Sequence, residues 1–292
     1  MGLGISSIQN LLELKQLGYL DGCKSVFEMG SQELHLKSKD FEELIRMAGI
    51  ENYKSKDFPN LNNWPNSPRC SSRFLFQMLG IDKYACFDLN EEHGAIPHDF
   101  NLPFEDKSFF SKFDLVTDYG SCEHAFNVGE TYRTMHKLCK LGGLIIIAQS
   151  LWGGNGYFLY DRSFIEGMAA ANNYRILYSS YSVNPKSKSP HGSDSQYHVP
   201  MSKALLGTIN LNKTIGIGAY VVLKKQADTD FKFPYQGQHS MTHEGHIGFN
   251  RLFHKDPPGY SYIPVYDSEL SSVPSRVLLQ QLASRIKRQI SK

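Results

Sequence analysis

Two rhythms of apolar residues alternate along this chain. Short runs rich in β-branched and aromatic side chains, Lys24–Glu28 (KSVFE), Tyr84–Leu89 (YACFDL), Asp114–Thr117, Leu144–Ala148 and Arg175–Ser180, have the length of strands buried on both faces. Between them the spacing widens to three and four residues. Phe41, Leu44, Ile45 and Ala48 mark one helix, Ser71 to Gly80 a second, and Val128, Tyr132, Met135, Leu138 and Cys139 a third, with Gly142 and Gly143 as its expected stop. A helix from about Ser163 to Ala171 precedes the Arg175 strand, and the opening MGLGISSIQNLLELKQLGYL reads as an amphipathic helix. The run Thr214–Lys225 (TIGIGAYVVLKK) is the last strand. Strand, helix, strand in this order predicts right-handed crossovers and an open α/β sheet, with ligands at the carboxyl ends of its strands. For the Phe113–Ser150 unit those ends place Asp118, Tyr119, Gly120, Glu123 and His124 at a candidate site.

Three stretches break the pattern. Residues 35–70 exceed what one crossover helix needs and include an Asn/Pro-rich run with Pro59, Pro65 and Pro68. The aromatic content there (Tyr53, Phe58, Trp64) argues for packing, and we expect a lid-like insertion over the site. Ser182–Val199 reads as a polar loop. Residues 226–292 read as an irregular C-terminal extension beyond a 1–225 domain. The extension closes in an amphipathic basic helix, Ser275–Ile290, more a packing surface or homodimer contact than a membrane anchor.

Composition narrows the function classes. With 292 residues, 41% hydrophobic and 21% charged, the chain can bury one ordinary elaborated core. A formal charge of +2 is too balanced for a nucleic-acid or membrane partner. No apolar run approaches the roughly 20 residues of a bilayer span, and no secretory pattern opens the chain, so a cytoplasmic location is expected. Cys23, Cys70, Cys86, Cys122 and Cys139 include no C-x-x-C pair and are read as small hydrophobes. His239, His243 and His246 lack helical spacing, and no metal site is expected.

The remaining motifs resemble one family. Glu28-Met29-Gly30 after the first crossover strand, Asp88 closing the second, Asp99-Phe100 before LPFEDKSF, Glu123-His124, and the Lys140-Leu141-Gly142-Gly143 turn fall in the order found in class I S-adenosylmethionine-dependent methyltransferases. The resemblance spans about residues 20–225. It departs at Gln32, which stands where a second glycine is usual, and mildly at Leu141, where proline is common. It implies a doubly wound, mostly parallel seven-stranded sheet with an antiparallel last strand and helices on both faces. It also implies S-adenosylmethionine as cofactor and S-adenosylhomocysteine as product. Glu28, Gly30, Ser31 and Gln32 would form the cofactor loop; Asp88, with Leu89, would meet the ribose hydroxyls; Asp99 and the Phe100 N–H would meet the adenine; and Asp118, Tyr119 and Glu123 would complete the site. His124 is the candidate general base if the acceptor is a hydroxyl, or else a hydrogen-bonding or cofactor contact. Trp152, Tyr157 and Tyr160 are walls for a small-molecule acceptor, planar or sugar-like, or core filling. Two other functions use the same sheet: a nicotinamide-dependent oxidoreductase, weakened by the missing G-x-G-x-x-G, and a cofactor-binding module without chemistry.

Overall fold

The computed structural model describes residues 2–51, 57–186, 196–202 and 206–235, with isolated helical positions at Ser275, Arg276, Leu279, Ala283 and Ile286. The histidines of the tail lie outside the described residues, as do most of the C-terminal helix and residues 52–56 of the insertion. In chain order the elements are β1 (Gly2–Leu3), α1 (Ile5–Gln16), β2 (Ser25–Met29), β3 (Glu33–Leu34), α2 (Ser38–Met47), α3 (Arg73–Met78) and β4 (Lys83–Phe87). They continue with β5 (Phe113–Tyr119), α4 (Val128–Leu138), β6 (Cys139–Trp152), α5 (Arg162–Ala171), β7 (Tyr174–Pro185), β8 (Tyr197–Pro200) and β9 (Thr214–Lys225).

Seven strands form one sheet in the order β4-β2-β5-β6-β9-β7-β8. The first four are mutually parallel, and β9 lies between β6 and β7, antiparallel to both. The antiparallel last strand implied by the resemblance is therefore present, wedged inside the sheet. Alternate strand residues point to opposite faces, and each face has its own core. Val26, Leu115, Leu144, Ile146 and Val222 pack with α1, α2 and α3, while Phe27, Met29, Val116, Ile145 and Ile147 pack with α4 and α5. Helices thus cover both faces of a doubly wound sheet. No helix among the described residues is long and apolar enough to cross a membrane. All five cysteines are free thiols, four of them buried.

Two expectations are corrected. Helix α4 stops at Leu138, not at the glycines. The chain is already extended at Cys139, and the register jumps from Phe113↔Cys139 to Leu115↔Leu144. Gly142 (φ +75°) makes that bulge, and at Gly143 a Cβ would stand 2.9 Å from Cys139 Sγ and 3.0 Å from Asp114 O. The polar stretch from Ser182 is not all loop, because β7 runs on to Pro185 and β8 pairs with it antiparallel through Ser182↔His198. Polar residues can continue a buried strand where their side chains find partners, as His198 does with Ser180 Oγ at 2.8 Å. After Gly30 the chain enters β3, which pairs with β1, and the crossover helix is α3, within the stretch read as a helix from Ser71 to Gly80.

The described part of the insertion is packed down. Leu61 is buried, the Phe58 ring lies 5.2 Å from Phe41 and 5.8 Å from Phe74, and Trp64 stacks on His35 at 4.5 Å. Between β4 and β5 the chain makes a single parallel bridge, Phe87↔Ile96, held by Ile96 N donating to Cys86 O at 2.8 Å.

Candidate functional site

Glycine is required where β2 ends. Gly30 has φ +92°, and a Cβ there would stand 2.3 Å from Ser121 Oγ and 2.8 Å from Gln32 Nε2. The turn brings Ser31 beside the next strand's end, where its N–H (3.0 Å) and hydroxyl (2.9 Å) donate to Asp88 Oδ2, and Asn90 N faces Oδ1 at 3.3 Å. Burial alone would raise the Asp88 carboxyl; the Ser31 and Asn90 donors outweigh it and hold the group below its ordinary value. Asp88 is thus an anion at the carboxyl end of β4, half-buried, with Leu89 exposed beside it.

Gln32 is fully buried. Its Nε2 donates to Met29 O (3.1 Å) and to Ser121 Oγ (2.8 Å), and its Oε1 is buried without a partner among the described residues. The residue standing for the usual second glycine therefore ties the β2 turn to the β5 turn. Below it, Glu28 faces inward: it accepts from Ser72 Oγ, from Tyr84 OH (2.7 Å) and from Thr117 Oγ1 (3.4 Å). Burial pushes its carboxyl up to about 7 against these donors.

The β5 turn is built around Asp118. Its Oδ1 accepts from Ser121 N (3.0 Å) and Cys122 N (3.1 Å), its Oδ2 accepts from Gln149 Nε2, and burial pushes the carboxyl up to about 6. These bonds fix the one-turn helix Cys122–His124. In it Glu123 is buried, with Oε2 accepting from Ser150 N (2.9 Å) and Oε1 facing Ser150 Oγ at 3.2 Å. His124 is 40% exposed, with Nε2 3.9 Å from Glu123 Oε1. An open imidazole therefore stands beside a carboxylate that β6 holds still.

Asp99 follows the Phe87↔Ile96 bridge. Its Oδ1 accepts from Asn101 N (2.9 Å) and Asn101 Nδ2 (2.8 Å), which keep the carboxyl below its ordinary value. Phe100 packs against the core, and Phe104 meets Phe87 at 4.7 Å. Of the aromatic candidates, Tyr157 is 73% exposed and meets the exposed Phe126 edge-on at 6.1 Å. Tyr160 is core, 4.9 Å from Phe164. Tyr119 is buried beside Tyr220.

Trp152 borders two cavities. One, of about 390 Å³, is lined mainly by Leu151, Tyr160, Tyr181, Ile209 and Leu211, with Arg162. The other, of about 190 Å³, lies where Tyr119, Gly120 and Ser150 meet the start of α1. Sequence reasoning missed this second cavity, because its wall comes from β1, α1, β5, β6, β7, β8 and β9 together. The signal that could have pointed to it is the Gly216-Ile217-Gly218 alternation within a strand. One further cluster was not anticipated. Glu33, Glu92 and His93 bring ligand-type atoms within 4.8 Å of one another, with Glu33 Oε2 already paired to Arg69 at 2.9 Å.

No protein-family model and no curated protein matches the chain. Among solved structures, it is similar to a protein from Bacillus halodurans C-125 whose assignment as a methyltransferase is provisional, at 12% identity, covering 74% of this chain and 99% of that one, TM-score 0.41. It is similar to a SAM-dependent methyltransferase from Archaeoglobus fulgidus at 13% identity, 74% and 94% coverage, TM-score 0.35. The [4+2]-cyclase SpnF is similar at 12% identity, 74% and 80% coverage, TM-score 0.35. Likenesses at this level add no weight on their own, and the fold rests on the strand order described above.

Proposed function

We propose that this chain is an S-adenosylmethionine-dependent methyltransferase whose acceptor is a small molecule methylated on oxygen or nitrogen. One observation supports this reading above the others: a glycine-only turn at the end of β2 holds an anionic Asp88 at the end of β4, in a sheet whose antiparallel β9 sits between β6 and β7. A charged, half-open carboxylate there suits the two hydroxyls of a ribose. The residues fit an adenosyl group in other respects: Asp99 keeps its carboxylate ionised, and the orphaned Gln32 Oε1 is an acceptor beside the turn. The buried Glu28 and Asp118 hold the β2 and β5 turns in shape from beneath.

When bound, the sulfonium cofactor supplies an activated methyl group. The protein has mainly to align the acceptor and exclude water. His124 is the group we assign to an acceptor hydroxyl's proton, with Glu123 steadying the ring and Ser150 steadying Glu123. The oxidoreductase reading is disfavoured because Gly30 leads into β3, so no helix N-terminus meets a pyrophosphate at that turn.

Calorimetric titration of the full chain with S-adenosylhomocysteine and NAD in parallel tests the proposal. Saturable binding of the first and none of the second is expected. Binding of NAD alone would replace this reading with the oxidoreductase.

A further inference from the structure

The smaller cavity has an unusual wall. One cross-strand row runs through four adjacent strands: Ser150 of β6, Gly218 of β9, Ser182 of β7 and His198 of β8 are register partners in turn. The next row on the same face pairs Gly216 with Asn184. Side chains two apart in a strand share a face, so the two glycines open a floor between flanking hydroxyl and amide groups. A Cβ on Gly218 would stand 2.7 Å from Ser182 Oγ and 3.0 Å from Gln149 O, and one on Gly216 would stand 3.4 Å from Trp152 O. On the same face, two residues along from Gly218, the hydroxyls of Tyr220 and its neighbour Tyr119 lie buried next to each other, with no other partner among the described residues.

The opposite wall is the start of α1, and His198 fixes it. Its Nε2 lies 2.5 Å from Ser6 Oγ and 3.1 Å from Asn10 Nδ2, while Nδ1 lies 2.8 Å from Ser180 Oγ. This bond set joins α1 to β7 and β8, so the cavity has rigid sides.

Its chemistry is selective. Among the described residues no Asp, Glu, Lys or Arg lines it, so an ionic ligand would lose hydration there without gaining a counter-charge from them. Groups that both donate and accept surround it, and the half-exposed Trp152 offers an apolar ring face at the edge. At about 190 Å³ it holds roughly six waters' volume, at about 30 Å³ each, and is below the roughly 300 Å³ of drug-sized sites.

We infer that this cavity binds a neutral, polyhydroxylated ring of monosaccharide size. Resting on the methyl-transfer reading, that ring is the acceptor: Ser150 lines the cavity and also donates to Glu123, whose Oε1 lies 3.9 Å from His124 Nε2, so one residue links the cavity to the assigned base.

Saturation-transfer NMR on the full chain tests the inference, with the methyl pyranosides of glucose, galactose and mannose as probes and methyl glucuronide and glucosamine as charged controls. At least one neutral pyranoside should show transfer, and the charged sugars should show less. Asn184→Ala, which adds no bulk, should weaken that binding about tenfold, the scale of one lost hydrogen bond. Gly216→Val, which fills the floor, should abolish it, and S-adenosylhomocysteine binding should be unchanged in both. Absence of transfer from all three neutral probes, preference for a charged sugar, or indifference to both substitutions would overturn it. Pyranoside binding by a protein that fails to bind S-adenosylhomocysteine would leave the cavity assignment standing and remove the methyl-transfer reading.

Discussion

Glu28 and His124 stand in opposite environments, one sealed and one open. Glu28 is sealed beneath the β2 turn among three hydroxyl donors, and burial pushes its carboxyl up to about 7 from 4.5. A folded-state value above the unfolded one means that the folded protein binds the proton more tightly. The stabilisation is complete below about pH 4.5 and is lost as pH rises through about 7. Glu28→Gln removes this dependence, so its melting temperature relative to wild type should climb between pH 5 and pH 8. About 2.5 pH units at about 1.36 kcal/mol each sets an upper bound of about 3 kcal/mol. A constant difference across that range in thermal melts would contradict the burial account. His124, by contrast, is open. His124→Ala should lower kcat by a factor of about 10² to 10⁴ with little change in S-adenosylhomocysteine affinity. Glu123→Gln, which loosens the ring's neighbour, should cost less, and the comparison of kcat with affinity in the two variants checks the assignment.

At the scale of elements, the joints between strands and turns decide what a sequence reader could see. Strand and helix periods were legible because burial on both faces imposes them, and β2, β4, β5, α4, α5 and β9 lie where the pattern places them. The glycine stop was misread because Gly142 and Gly143 serve a β-bulge that tertiary pairing with Asp114 and Cys139 demands. β8 was invisible because its polar residues bind across to α1 through His198. The buried Lys225 is another such joint: Nζ donates to His136 O (3.0 Å), Cys139 O (3.0 Å) and Asp228 Oδ1 (3.1 Å), closing the end of α4 over the last strand. Lys225→Met leaves both carbonyls unpaired and should cost about 2–3 kcal/mol in urea unfolding, without altering cofactor affinity. A loss below about 0.5 kcal/mol would mean that water replaces the ammonium there.

For the whole molecule, the doubly wound sheet, its antiparallel strand and the acids at successive strand ends could be read from the chain in order. The cavity could not, since seven elements spread along the sequence build it. The account as a whole depends on the carboxylate that Ser31 presents at the end of β4. The most direct measurement is calorimetry of S-adenosylhomocysteine with wild type and Asp88→Ala, each paired with a thermal melt. A loss of about 2 kcal/mol in binding, about thirtyfold in Kd, with the melt nearly unchanged is predicted. An unchanged Kd in a variant with an unchanged melt would contradict it.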